Sequence, residues 1–265
     1  MDIQVIPILQ TNPFLPSNIY NLITLEVYTP YYVWTELLTH KRFARNASSN
    51  RAMKPTKNVT LGYYTPPVIY QQGLGMCSGD SLSEDMQGKA VEIWNNVWQY
   101  TTNAMMELTN MGVAKEQASR VLPGFKIMHG VITGTYDAFK SFLMLRNNEQ
   151  ADTAMQILAS KILDTIAKMP VVTSRDHYPY VEVSELDNVD LPYLSAGRLA
   201  RISYGDITSK KDDINLGRRL YHNGHMSPFE HSATWVKNPI KSALCSKEND
   251  MMNIYGWENV RASLE

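Results

Sequence analysis

Apolar positions along the chain change period several times, and the changes mark out its elements. Ile23-Thr24-Leu25-Glu26-Val27-Tyr28 alternates and is β-branched, which predicts a strand closed by Pro30. Tyr31 to Leu38 predicts a short helix that delivers the chain to His40. The stretch 41–57 is basic, polar and without a period, so it reads as a loop or a loop broken by a helical turn. Residues 58–80, rich in Gly, Pro, Tyr and Gln, read as an irregular excursion. Ser81 to Met111 is the clearest helix. Val91, Trp94, Val97 or Trp98, Met105 and Leu108 keep its period, Ser81-x-x-Glu84 is a candidate capping box, and Gly112 is a stop.

Lys115 to Leu122 predicts a second helix, stopped at Pro123-Gly124. Residues 126–146 are apolar, with a helical period from Ala138 onward and a front loosened by Gly130 and Gly134. Asp152 to Lys168 is amphipathic through Met155, Leu158, Ile162 and Ile166, and Pro170 ends it. Residues 171–194 form a polar, Tyr- and Pro-rich connection. Leu199 to Tyr204 reads as a short strand or turn, Asp212 to His222 as a helix, and Ser232 to Val236 as a strand ended by Pro239. Residues 1–22 stay unassigned, and 241–265 look peripheral. No repeat or linker divides the chain, so the expectation is one helix-rich α/β domain over 1–265.

Composition narrows the partners. The 265 residues are 44% apolar, enough for one substantial core. Lys and Arg number 25 against 26 Asp and Glu, so no global field favours a polynucleotide or an anionic membrane. A small anion in a local basic pocket fits well. No apolar run approaches the roughly 20 residues of a membrane span, and Met1-Asp2-Ile3-Gln4 does not open a signal peptide. Cys77 and Cys245 are expected to be reduced thiols in the cytoplasm, not a disulfide framework.

Three clusters carry candidate chemistry. The segment 39–51 gathers His40, Lys41, Arg42, Arg45 and Arg51 among Asn46, Ser48, Ser49 and Asn50, a donor set suited to phosphate. The segment 222–231 holds His222, His225, Glu230 and His231. Its spacing is broken by Pro228 and matches no zinc motif, so no metal is assigned. Arg146 follows the apolar run 142–145, so its head should emerge beside a core. A P-loop, a dinucleotide fingerprint and a nucleophile elbow are all absent from the sequence.

Together these blocks resemble the flavin-dependent thymidylate synthases, the ThyX family. That family carries R-H-R-x7-S followed by Arg; here Thr39-His40-Lys41 stands seven residues before Ser49, then Arg51. Its S/T-P-F-E-H segment after Gly-His is matched by residues 224–231. Its A-R-V-S is matched by Ala200-Arg201-Ile202-Ser203, and its V-L-P and L-R-x4-A-D/Q by Val121-Leu122-Pro123 and Leu145-Arg146 with Ala151-Asp152. The order differs: 1–170 holds the family's C-terminal blocks and 195–240 its N-terminal ones, joined through 171–194. A circular permutation would account for this. Thr39, Lys41, Thr135, Asp137 and Gln150 stand where the family commonly has other residues, and the Arg before V-L-P is displaced to Arg120.

The resemblance implies a ThyX-like α/β (α+β) fold with a central mixed or antiparallel sheet and long helices. It also implies a homo-oligomer, most simply a tetramer, whose sites draw on several subunits. It implies methylation of dUMP at C5, with methylenetetrahydrofolate as carbon donor, FAD as redox cofactor and NADPH as a candidate reductant. It assigns Glu36, Ser48, Ser49, Arg51, Arg120 and Arg146 to the nucleotide, with Arg146 as the catalytic choice. It assigns His40, Lys41, Arg42, Asn46, Thr135, Gln150, Ser203, His225, Ser227 and Glu230 to the cofactor. Two rivals remain open: a dCMP or dUMP hydroxymethylase serving phage DNA, and a nucleotide-binding protein without catalysis.

Overall fold

A computed structural model describes residues 1–74, 78–185, 189–205, 209–236, 254 and 256–264. Its centre is a mixed five-stranded sheet. β1 (Gln4–Asn12) and β2 (Leu22–Pro30) pair antiparallel, β4 (Ile127–Thr135) lies antiparallel to β2, and β3 (Ala44–Ala47) forms the edge beyond β4. β5 (Val172–Thr173) adds in parallel to β1 at the other edge. A smaller sheet joins β6 (Asp176–His177), β7 (Ala233–Trp235) and β8 (Trp257–Asn259).

The alternation in β2 explains how the layers form. Ile23, Leu25 and Val27 enter a core with Trp34 and Leu37 of α1 (Tyr31–Leu37), Phe139 and Phe142 of α5 (Tyr136–Arg146), and Met155 and Leu158 of α6 (Thr153–Lys168). The intervening residues are polar and turn to the opposite face. Thr24 bonds His177, and Glu26 accepts from Tyr180 at 2.7 Å. On that face α7 (Leu191–Tyr204) covers β4, with Leu199 and Ile202 against Val131.

β4 corrects the expected loosened helix. It is buried throughout, and its glycines have a packing reason. A Cβ at Gly130 would come 2.5 Å from the Trp34 ring, and one at Gly134 would come 2.5 Å from Phe43. The aromatic rings lie directly on the strand, where only glycine leaves room. Leu199 to Tyr204 is the second correction: it ends α7, not a strand. α7 packs on α8 (Lys210–His222) so closely that a Cβ at Gly197 would meet the Asp213 carbonyl at 1.9 Å, and one at Gly217 the Tyr193 carbonyl at 2.0 Å. Asp213 is fully buried and accepts from Arg201 at 2.9 Å and Arg198 at 3.3 Å. Arg198 also forks onto Glu185 at 2.6 and 2.9 Å.

Other differences are smaller. The 41–57 loop contains β3, and α2 (Pro55–Leu61) begins within it. The 27-residue α3 (Glu84–Asn110) starts three residues late. Ser83 is its N-cap without a side-chain bond, and Ser81 instead bridges Tyr70. The helix expected over Lys115 to Leu122 is the shorter α4 (Lys115–Ala118) followed by a 3-10 turn (Ser119–Val121). Residues 1–22 hold β1. The segment 241–265 is not merely peripheral, because Trp257 is fully buried against Trp235 and donates to the Tyr20 carbonyl at 2.9 Å. Cys77 and Cys245 lie outside the described residues. Among the described residues, no helix is long and apolar enough to cross a membrane.

Between the two sheets runs a buried polar chain. Thr11 meets His177 Nδ1 at 2.8 Å, His177 Nε2 meets Thr24 at 2.8 Å, Thr24 meets Thr133 at 2.6 Å, and Thr133 meets His231 Nδ1 at 2.8 Å. Both rings are fully buried, and desolvation of the charged form pulls each down to about 3.

Candidate active site

β3 leaves the sheet edge after Ala47, and the following turn runs under the C-terminal end of α7. Opposite it, α8 ends at His222, and a 3-10 turn over Ser227–His231 closes the space. The result is a cavity of about 420 Å³ whose walls include Asn46, Ser49, Arg51, Ser203, His225 and Ser227. The two sides are tied together. The Ser49 N–H donates to Ser203 Oγ at 2.9 Å, Ser227 Oγ donates to Asn46 Oδ1 at 3.5 Å, and Lys57 Nζ donates to the Ile202 carbonyl at 3.0 Å. Residues more than 150 positions apart therefore share one wall.

The cavity is chemically one-sided. Among its described lining residues there is a guanidinium, an imidazole, hydroxyls and an amide, but no carboxylate. The Arg51 backbone N–H leans on Ser49 Oγ at 3.3 Å, and its guanidinium has no partner among the described residues. Arg45, beside Asn46 on β3, is partly withdrawn from water and lowered by that burial, against the attraction of Glu230. A pocket with this inventory suits an anion bearing phosphate.

A second polar cluster sits at the far end of α5. The Arg146 guanidinium pairs with Glu36 of α1, and its Nε–H donates to His40 Nε2 at 2.9 Å. That bond makes Nε2 of His40 an acceptor, so the ring is neutral with its proton on Nδ1. Burial and then the Arg146 charge lower His40 in the same sense. The ring also packs edge-on against Phe142 at 5.0 Å. Arg146, Glu36 and His40 do not line the 420 Å³ cavity.

The remaining candidates spread out. Arg42 pairs with Asp137 at 2.6 Å and donates to Ser141 at 3.2 Å, on the first turns of α5. Thr135 is the N-cap of that helix and accepts from the Ala138 N–H, with its side chain buried. Gln150 is exposed in the turn before α6, with its N–H on Asn148 Oδ1. Glu230 pairs with Arg261 at 2.6 Å. Lys41 is exposed. Ser48 is buried beside the cavity strand with its Oγ unpartnered among the described residues. Arg120 is exposed on a 3-10 turn near Lys126, which burial and then the Arg120 charge lower to about 8. The structure thus gathers Asn46, Ser49, Arg51, Ser203, His225 and Ser227 and leaves the others outside that cavity.

Two wall residues escape the sequence reading. Tyr204 and Leu220 line the cavity from α7 and α8. The cue was available in the small residues 195–197, whose spacing allows two helices to touch. Among the described residues, no three His, Cys, Asp or Glu side chains converge as a metal site would require.

Comparison with known proteins agrees with this geometry. A "Probable flavin-dependent thymidylate synthase" of Mycobacterium phage L5 is 28% identical over 148 residues, 54% of this chain and 57% of that protein. The protein of the same description from Mycobacterium phage D29 is 27% identical over 147 residues, 54% of this chain and 59% of that one. The match therefore spans less than two thirds of either relative. Among solved structures, the UMP/dUMP methylase PolB from Streptomyces cacaoi with 5-Br UMP superposes with a TM-score of 0.55, at 18% identity, over 63% of this chain and 90% of that one. Its complex with 5-Br dUMP gives 0.50, at 20% identity, over 57% and 68%. At such identities the likeness concerns the fold. The family model described as "Thy1: Thymidylate synthase complementing protein" matches residues 20–171, from the start of β2 to the edge of β5. Since that match takes in more than half of the residues and the whole sheet edge that forms one cavity wall, the chain belongs to the Thy1 family.

Proposed function

We propose that this chain methylates C5 of a pyrimidine deoxynucleotide, converting dUMP to dTMP with the carbon of methylenetetrahydrofolate. One observation carries the reading: Ser49 and Arg51 meet Ser203, His225 and Ser227 around one cavity whose described lining residues include no carboxylate. The family match and the names of the phage relatives support it. PolB, a UMP/dUMP methylase by its description, supports the same class of substrate.

In this reading Ser49 and Arg51 hold the nucleotide phosphate. Asn46, Ser203, His225 and Ser227 form the adjoining wall for a flavin, whose phosphates suit the same donor set. A flavin held there would supply the redox chemistry of the reaction, with NADPH as the candidate reductant. Arg146 is the group placed at the N3–O4 side of the base, where negative charge grows as C5 becomes nucleophilic. Within one chain Glu36 and His40 hold it outside the cavity. Its contact with the base therefore belongs to a junction between copies, which suits an oligomer. Glu36 fixes the guanidinium in one orientation, and His40, neutral at Nε2, accepts from it without adding charge.

We also propose that the block order reflects a circular permutation within one domain over 1–265. The two cavity walls, residues 46–51 and 200–228, meet in space although their order is exchanged relative to the ThyX pattern. The test of function is direct. Purified protein is incubated with methylenetetrahydrofolate, NADPH and either dUMP or dCMP, and the nucleotide is weighed by mass spectrometry. A methyl product from dUMP and a yellow protein are expected. A product heavier by one further oxygen from a colourless protein would instead identify a hydroxymethylase. Binding without turnover of either nucleotide would identify a non-catalytic homologue.

A further inference from the structure

The helix-facing side of the central sheet is apolar along β2, but a polar side chain stands beside it on β1. Gln10 lies directly opposite Ile23 in the antiparallel register, so the two side chains share a face. Ile23 belongs to the core built with α5 and α6. Gln10 is buried next to it, only 5% exposed, and its Oε1 has no hydrogen-bond partner among the described residues. A buried amide with an unused acceptor is disfavoured in an apolar setting. Thr11, one residue on, points to the other face and meets His177.

Gln10 lines a second cavity, of about 460 Å³, bounded by β1, α5 and α6. Phe139, Leu143, Leu163, Ile166 and Met169 supply apolar wall. Gln10, Asn18, Tyr136 and Lys140 supply the polar groups, and the described lining residues include no carboxylate. Lys140 is exposed and forms no ion pair among the described residues; Asp137, a turn earlier on α5, is held by Arg42 at 2.6 Å. The rim is apolar and open, with Met144 at 73% exposure and Val171 at 47%. None of these residues lines the 420 Å³ cavity.

We propose that this second cavity binds a small aromatic carboxylic acid with a hydroxyl donor on its ring. Each group of that ligand answers one feature of the cavity. The apolar walls, with the Phe139 and Tyr136 rings among them, take the aromatic body. Lys140, the one charge among the described lining residues, takes the carboxylate in a charge-assisted hydrogen bond. Gln10 Oε1 accepts the ring hydroxyl, the donor that the described residues do not supply. Other classes fit less well. An alkyl acid leaves the amide unsatisfied, a cation meets Lys140 with like charge, and a phosphate monoester brings up to two charges to one ammonium.

This inference stands apart from the assignment of substrate. Isothermal titration calorimetry of the full-length protein with 4-hydroxyphenylacetate tests it. Binding is expected both with and without saturating dUMP. Phenylacetate, which lacks the hydroxyl, and 4-hydroxyphenylethanol, which lacks the charge, should each bind roughly 10-fold more weakly. Lys140→Gln should erase the advantage of the carboxylate, and Gln10→Leu that of the hydroxyl. Gln10→Leu should also raise the denaturation midpoint of the protein without probe, since it replaces an unsatisfied amide by an apolar side chain of similar size. Ala167→Trp, on the cavity wall, should abolish binding with an unchanged circular dichroism spectrum. If that variant loses helicity, the two polar variants carry the test. Absence of binding at millimolar 4-hydroxyphenylacetate, its displacement by dUMP, or equal affinity for the three probes overturns the site. So does a lower denaturation midpoint in Gln10→Leu, which would make the amide a structural partner.

Discussion

Arg51 stands on the cavity wall with its guanidinium unpartnered among the described residues, while Arg146 is held by two neighbours outside it. These different situations predict different kinetics. Arg51→Ala should raise KM for the nucleotide roughly 10- to 100-fold through the loss of charge-assisted phosphate contacts, with a smaller effect on kcat. Arg146→Ala should lower kcat roughly 100-fold or more, since in the proposed reading it removes the donor that meets the charge developing on the ring. Steady-state kinetics with dUMP as the varied substrate separates the two. Unchanged nucleotide binding by Arg51→Ala would remove this residue from the phosphate site. The residues that line the cavity were legible as motif spacings, because Ser49, Arg51, Ser203 and His225 each fall in a block matching the family pattern. The partners of Arg146 were not, because nothing in a sequence shows that α1 and the end of α5 will lie side by side.

At the scale of elements, the contact between α7 and α8 is set by two glycines. A Cβ at Gly197 or Gly217 would sit 1.9 or 2.0 Å from a backbone carbonyl oxygen, far inside van der Waals contact, and backbone cannot rotate away as a side chain can. Gly197→Ala and Gly217→Ala should each destabilise the protein by roughly 2–4 kcal/mol, well beyond a change of helix propensity, which for Gly to Ala favours Ala. Urea denaturation checks this, and an equal or higher midpoint in either variant would mean the helices can part at little cost. The same glycines show why α7 was hard to read. Its buried residues run around most of the helix, Leu191, Leu194, Leu199 and Ile202 interspersed with Ser195, Ala196, Gly197, Ala200 and Ser203, so no single apolar stripe stands out. By contrast, α6 was plain in the sequence because Met155, Leu158 and Ile162 fill a broad apolar face below an Asp152 cap. β4 failed as an expected helix for another reason: it is buried on both faces, and Gly130 and Gly134 together with buried His129, Thr133 and Thr135 blur the alternation.

At the scale of the whole molecule, the two buried histidines tie stability to pH. His177 and His231 sit at about 3 in the folded chain and near 6.5 when unfolded. The folded state refuses a proton that the unfolded state accepts below pH 6.5. Their contribution is therefore complete above that pH and is lost as pH falls toward 3. Between pH 6 and 4.5 the unfolding free energy should drop by up to about 1.4 kcal/mol per pH unit for each ring. Denaturation midpoints measured from pH 7.5 to 4.5 give the slope, and His231→Asn should reduce it by about one proton. Glu185, held down to about 2 chiefly by the Arg198 fork, adds its own loss only below its ordinary value of 4.5, so midpoints measured above that pH report the rings before this carboxylate.

The chain of hydroxyls and imidazoles between the sheets has a further property: it has a direction. Each threonine owns a single hydroxyl hydrogen, and each neutral imidazole owns one N–H. Once one bond chooses its donor, every other bond in the row must follow if all four bonds are to form. Only two orderings are possible, running opposite ways from Thr11 to His231. One puts the proton on Nδ1 of both rings, leaving a lone pair at His231 Nε2 and the Thr11 hydroxyl hydrogen without an acceptor among the described residues. The other puts it on Nε2 of both, lets Thr11 donate and leaves an N–H at His231 Nε2. In either ordering the two rings carry the same tautomer. Nitrogen NMR of the two side chains should show that shared tautomer, and Thr133→Val should break the row and release the His231 ring from it. Two rings that never touch thus take their handedness of protonation from one another, as adjacent arrows do in a line of head-to-tail dipoles.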